Sequence, residues 1–394
     1  MTCAPVARAS GAGTGHAGTV TDAPGDDTRR ETVTLLLCGD VMLGRGIDQI
    51  LGHPGDPLLI EGYVRDARQY VALAEEASGP VPYPVDDTWP WGAALAEIEH
   101  PRPDAFVLNL ETGVTRCSDF VPGKGIHYRM DPGNLGCLLA ARPDVVVVAN
   151  NHVMDFGRRG LDETLRTLSG AGLVTVGAGP DRDVAGTPAV VAVDGQRAVA
   201  VLAAGHESSG VPASWAATAD RPGVAFLPDL SSRTAASVAA AVRAQKQRGA
   251  IVVVSLHWGS NWGYDVARRQ VRFAHWLVDA GADVVHGHSS HHPRPMEVYA
   301  GRLVLYGCGD FVNDYEGIRG HEEYRGDLRL LYRVRLSADG ALAGAELVPF
   351  RSRRLRLEPV APSDVRWLAS VLDGQSRRYG VRVRPTPEGL LVLE

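Results

Sequence analysis

The chain has no run of about 18 consecutive apolar residues, so no ordinary membrane-spanning helix is expected and no membrane partner. Cysteine is scarce. The five thiols (Cys3, Cys38, Cys117, Cys137, Cys308) are odd in number and form no CxxC pair, which excludes a disulfide framework or zinc ribbon and fits a reducing compartment. A basic surplus is also missing: 40 Lys+Arg against 46 Asp+Glu leave a net charge of −6, so nucleic acid is not an expected partner. The first 31 residues contain no apolar leader segment. They are rich in Gly, Ala, Thr, Pro and Asp and read as a disordered tail, which makes the cytoplasm the expected location.

What remains is ordinary for a globular protein: 45% apolar and 22% charged residues over 394 positions, enough for a sizeable core. Residues 32–394 are expected to form one catalytic domain. Short Val/Leu/Ile runs at 32–39, 105–110, 144–150, 198–205, 250–257, 283–287 and 302–307 read as strands covered on both faces. Helices are expected at 158–170, 232–248, 265–281 and 363–377, the last with Ser363 as cap. The alternation makes the fold class α/β, and the alternating segment 326–350 adds a C-terminal antiparallel hairpin before the final helix. The stretches 52–92 and 206–231 read as long loops or lids.

The chemistry lies where the strands stop. Five of the seven runs end at chemistry-bearing groups: at Asp40, at Glu111, at Asn151-His152, at His257, and at His288 with His291 and His292 close behind. Open α/β sheets build their sites at the carboxyl ends of strands, and Asp, Glu, Asn and His are the ligand set of a divalent cation. Any one of these residues has a bland use: Asp40 as a turn residue, Asn150-Asn151 or Asp155 as a helix cap. Their conjunction points to a metal centre. His16, His53, His100, His275 and His321 carry no such pattern.

The segments GDVMLGR (39–45), NLET (109–112), ANNHVMDFG (149–157), LHWG (256–259) and GADVVHGHSSHHPRPMEVYAGRLVLYGCGDFVND (281–314) resemble, in order, the motif series of the CapA family, named for poly-γ-glutamate capsule synthesis. That family is similar to calcineurin-like metallophosphoesterases. The resemblance implies a sandwich of two β-sheets flanked by helices. It implies a metal site at Asp40, Glu111, Asn151, His257 and His288, with His291 at a further metal-site position and His152 as a proton donor. Met42 stands where phosphoesterases place a histidine, and a thioether is a poor ligand for a hard cation. An oxygen-rich shell from Asp40, Glu111 and Asn151 suits Ca²⁺ or Mn²⁺ first, with Mg²⁺ or Zn²⁺ as further candidates.

A soluble branch of the family resembles lasso-peptide epimerases, and the expected function is a metal-dependent peptide epimerase, an isomerase. It would invert the α-carbon of the C-terminal residue of a ribosomal precursor peptide, its partner and substrate. Inversion needs one group to remove a proton and another to return it. His152 and His291 are the choices, with Asp155 and Asp310 among their partners. Arg129, His127 and Trp258 are the expected substrate-binding residues, and Lys124 lies in the same segment as the first two. Three other readings stand beside this one. They are a metal-dependent phosphoesterase, an enzyme making or hydrolysing γ-glutamyl polymers, and a binding module without chemistry.

Overall fold

The computed structural model describes residues 32–194 and 197–394; the expected tail at 1–31 lies outside them. The strands that position the site are β1 (Thr32–Val41), β2 (Ala105–Leu110), β3 (Val145–Val147), β4 (Ala198–His206), β5 (Ile251–His257), β6 (Val284–His288) and β7 (Arg302–Leu305). They are followed by β8 (Asp310–Val312), β9 (Leu328–Ser337) and β10 (Leu342–Ser352). In the first sheet β1, β2 and β3 run parallel, and β9 and β10 continue it antiparallel on the far side of β1. The second sheet is parallel through β4, β5, β6 and β7. Strands that are parallel within a sheet end on the same edge, so each sheet gathers its strand-end residues into one row.

The two sheets face each other across an apolar layer. Leu35, Leu37, Val107 and Val147 of the first meet Val201, Val253, Val284 and Leu305 of the second, all but closed to solvent. Burying a side chain of this size stabilises by about 1.5–3 kcal/mol. The alternate residues of the same strands point outward and are covered by helices. Leu36, Phe106 and Leu108 pack with Leu161 and Leu168 of α1 (Gly157–Gly170). Val252, Val254 and Val285 pack with Val242 of α2 (Ser232–Gln247) and with Phe273 and Leu277 of α3 (Arg268–Asp279). Helices therefore flank a two-sheet α/β sandwich, the layering the resemblance implies, and strands that bury both faces read in sequence as unbroken apolar runs.

The helices begin for local reasons. Ser231 caps α2, its hydroxyl accepting from the Thr234 amide at 3.3 Å. The final helix, α4 (Pro362–Ser376), starts one residue earlier than expected: Pro362 sits at the first helical position, where a missing N–H costs nothing, and Ser363 is not the cap. Its Asp364 carboxylate accepts from the Ala361 amide at 3.3 Å. The stretch 52–92 is not all loop. A helix at Arg68–Ser78 buries Tyr70, Val71 and Ala74, a helical spacing masked by the Pro and Gly around it. Among the described residues, no helix is long and apolar enough to cross a membrane.

Candidate metal centre

Strand register builds the centre. In the first sheet Asp40 lies opposite Asn109 of β2 and Asp310 of β8; in the second, His257 lies opposite His288. Two backbone features bring the rows together. Gly39 has no room for a side chain, since a Cβ there would lie 1.8 Å from the Gly309 carbonyl oxygen, and that closeness lets the Asp40 amide donate to the same oxygen at 3.1 Å. Ser289 adopts φ 102°, a conformation worth about 1–3 kcal/mol of strain, and its amide donates to Asp40 Oδ2 at 2.9 Å. The Asn109 amide holds the other oxygen, Oδ1, at 2.7 Å.

Asp40, His257 and His288 offer donor atoms within 4.8 Å of one another, all buried. Nδ1 of His257 and Nδ1 of His288 stand 2.8 Å apart, and each faces Asp40 Oδ1, at 3.9 and 3.6 Å. Glu111 closes the group, with Oε1 3.7 Å from His257 Nε2 and an Oε2 atom that is buried without a hydrogen-bond partner. Asn151 joins through its side-chain oxygen, 2.9 Å from His257 Nε2. Burial and the Asp310 charge push the Asp40 carboxyl up to about 7, and burial with the neighbouring carboxylates holds Glu111 well above its usual range. Burial, reinforced by neighbouring imidazoles, holds His257 and His288 well below theirs. Crowded acids short of positive charge beside neutral imidazoles, with one carboxylate oxygen unpartnered, are the donor set a divalent cation completes. The residues present fit a divalent metal site. Met42, fully buried with its amide bound to the Val312 carbonyl at 2.8 Å, adds no hard donor.

A histidine–aspartate pair stands on each side. His152 Nδ1 lies 2.7 Å from Asp155 Oδ2, and its Nε2 faces Glu111 Oε1 at 3.7 Å. Lys124 binds Asp155 and the Asn151 carbonyl and reaches His152 Nδ1 at 3.0 Å. Burial drives His152 down to about 4 against the pull of Asp155. On the other side His291 Nδ1 lies 3.0 Å from Asp310 Oδ1; burial opposes its charge, but Asp310 outweighs that and raises it. Tyr128 meets His152 edge to face, Tyr315 meets His291 likewise, and the two phenol oxygens are 2.8 Å apart.

His291 and Asp310 open onto a cavity of about 880 Å³, whose lining includes Arg45, Trp262, Tyr315 and Arg329. The three expected substrate-binding residues do not line it. Trp258 is buried in the second sheet's outer layer, stacked edge to face on Phe273 with its indole N–H given to the Tyr306 carbonyl at 3.2 Å. His127 is buried between Phe120 and Phe156, and its Nε2 is 3.1 Å from the Val121 carbonyl. Arg129 gives its guanidinium to the Cys117 and Asp56 carbonyls at 3.0 and 2.9 Å. Sequence reading passed over Asn109, Arg45, Tyr128, Tyr315 and Arg329. The first two lie inside quoted motifs; Arg329 carries no signal beyond its place in an alternating strand.

Residues 34–315 match the model of the family described as bacterial capsule synthesis protein PGA_cap. A probable polyglutamine synthesis accessory protein of Mycobacterium tuberculosis is 52% identical over 363 residues, 92% of this chain and 96% of its own length. The capsule biosynthesis protein CapA of Bacillus anthracis is 26% identical across 94% of this chain and 77% of its own. The PGA biosynthesis protein CapA of Bacillus subtilis strain 168 is 29% identical across 70% and 62%. A solved structure, a 5'-nucleotidase precursor from Thermus thermophilus, overlays with TM-score 0.46 at 18% identity, covering 81% of this chain and 54% of that one. These relatives correct the expected function. Their names concern polyglutamine, capsule and PGA synthesis, and none names a peptide epimerase or an isomerase. The epimerase expectation rests on analogy within the family together with departures inside its motifs, and such analogy does not by itself fix a reaction.

Proposed function

Because the chain belongs to the bacterial capsule synthesis protein PGA_cap family, we propose that it acts in the synthesis of a glutamyl polymer, hydrolysing an amide linkage of that polymer at a divalent metal centre. The observation that carries this reading is the buried Asp40–His257–His288 group, with a histidine–aspartate pair on either side, one of which, His291–Asp310, opens onto an arginine-lined cavity. Asp40, Glu111, Asn151, His257 and His288 would hold the metal, which supplies Lewis acidity toward a carbonyl and lowers the pKa of bound water. Two imidazoles in the tightest group suit Mn²⁺ or Zn²⁺ better than Ca²⁺, which takes oxygen ligands.

The protein's own groups divide the proton work. With Asp155 ionised, His152 carries its proton on Nδ1 and donates it to that carboxylate, leaving Nε2 free to take a proton beside Glu111. His291, whose charged form Asp310 favours against burial, is the group able to give one to a leaving amine. Tyr128 and Tyr315 fix the tilt of the two rings. The four described cysteines are unpaired, which supports a cytoplasmic place for this step.

The test incubates the purified protein with γ-linked and α-linked glutamate oligomers, their glutamine counterparts and a nitrophenyl phosphodiester, each with Mn²⁺, Zn²⁺, Mg²⁺, Ca²⁺ or chelator. New amino groups from the oligomers, abolished by chelation, are expected. Nitrophenol release with intact oligomers would replace this reading with the phosphoesterase one.

A further inference from the structure

Two arginines are buried in the wall of the cavity, Arg45 at 3% exposure and Arg329 at 1%. Their surroundings differ. Arg45 is fully compensated: Asp314 takes two of its hydrogen bonds at 3.0 and 2.5 Å, Glu61 takes a third at 3.0 Å, and its guanidinium lies 3.7 Å from the Tyr70 ring centre. Arg329, on β9, has only neutral partners. Its Nη2 donates to the Asn313 side-chain oxygen at 2.7 Å, its Nη1 donates to the Gly326 carbonyl, and its Nε has no partner at all. No carboxylate among the described residues lies within ion-pair distance of it. Asp310, Asp327 and Glu316 act on it only from farther away, and a buried guanidinium without an ion-pair partner is costly, so a folded chain seldom keeps one without a use for it.

Its position indicates that use. Asn313, which Arg329 binds, donates to Asp310 Oδ2 at 2.6 Å, and Asp310 Oδ1 holds His291. The unpartnered Nε–H, closed to solvent in this structure, and a remaining Nη2 hydrogen form the side-on fork that a carboxylate accepts with both oxygens. We propose that Arg329 is the carboxylate anchor of this cavity: it grips a free carboxylate of the polymer unit beside the bond to be cut, so that the protein selects carboxylate-bearing over carboxamide-bearing chains. This deepens the reading given above and rests on it for the identity of the polymer. In a γ-linked glutamate chain every unit keeps a free α-carboxylate next to the linkage, and amidation of that group leaves the arginine without its anion.

The decisive comparison is binding of two fluorescent γ-linked oligomers, one with free α-carboxylates and one with the same groups amidated, to the protein as purified, with oligomer integrity checked by mass spectrometry. Wild type is expected to bind the carboxylate form about tenfold tighter or more, the scale of a charge-assisted hydrogen bond. Arg329→Gln should abolish that preference, and Arg329→Lys should restore part of it. Arg353→Gln, at the exposed rim of the same cavity, should keep it. Equal binding of both oligomers by wild type overturns the anchor, a result that needs no variant to fold. So does a full preference retained in Arg329→Gln. Glutarate, tested alongside, separates the two readings: glutarate binding that depends on Arg329, with neither oligomer bound, keeps the anchor and removes the polymer. No carboxylate binding of any kind overturns both.

Discussion

His152 and His291 each present Nδ1 to an aspartate, at 2.7 and 3.0 Å, and each ring meets a tyrosine edge to face. Their neighbours set them apart. His152 shares Asp155 with Lys124, whose cation opposes a second positive charge, and burial carries the imidazole down to about 4. His291 is opposed by burial and by the Arg329 cation, but Asp310, with the Asp40 charge behind it, outweighs both, and its imidazole titrates above its usual value. The same two residue types are therefore driven in opposite directions, His152 down by burial and the Lys124 cation, His291 up by Asp310 with Asp40 behind it. What separates an acid from a base here is the company of the aspartate, a feature invisible in any motif that records only histidine and aspartate.

Substitutions can break or sharpen that contrast. The largest effect removes its common ground: Asp40→Ala should abolish both bound metal, read by elemental analysis, and amide hydrolysis, leaving neither histidine with work to do. Next, His152→Gln should keep the metal and lower turnover by about 10²–10⁴, the range for a lost general acid or base. A smaller loss is expected from Asp310→Asn, with a diagnostic pH profile. Without the carboxylate the His291 pKa falls, so the charged form is lost at lower pH and the alkaline limb of the activity profile moves toward acid. Lys124→Met should change rate least and move the opposite limb. Removing its cation raises the His152 pKa, so the neutral form appears only at higher pH and the acid limb moves toward alkali. If both substitutions shift the same limb, the division of labour between the two histidines is wrong.

Much of this frame was legible in the chain. Seven apolar runs became strands because residues buried on both faces leave no alternation to confuse the reading, and Asp40, Glu111, His257 and His288 stood out as the first polar groups after such runs. The hairpin at β9 and β10 followed from its period of two. Legibility ended where a side chain's use depends on partners far away in sequence. Trp258 follows His257 directly, yet the strand's alternation turns it to the opposite face, into the layer under α3. Arg129 and His127 come from a loop whose carbonyls capture them. Arg329 sits among Arg333 and Arg335 on one strand, and nothing local marks it as the buried member of the three. The helix at Arg68–Ser78 was hidden by the turn-forming residues on either side.

The contact between Gly39 and the Gly309 carbonyl has a consequence for how this protein can change over generations. A single methyl group at Gly39 would overlap that oxygen at 1.8 Å, so the backbone beneath the centre admits almost no variation. The side chains above it are held only by their own bonds, and the cavity wall is drawn from separate strands and loops. Substitutions in the cavity wall, Arg329 among them, can therefore alter what the cavity holds while leaving that floor in place.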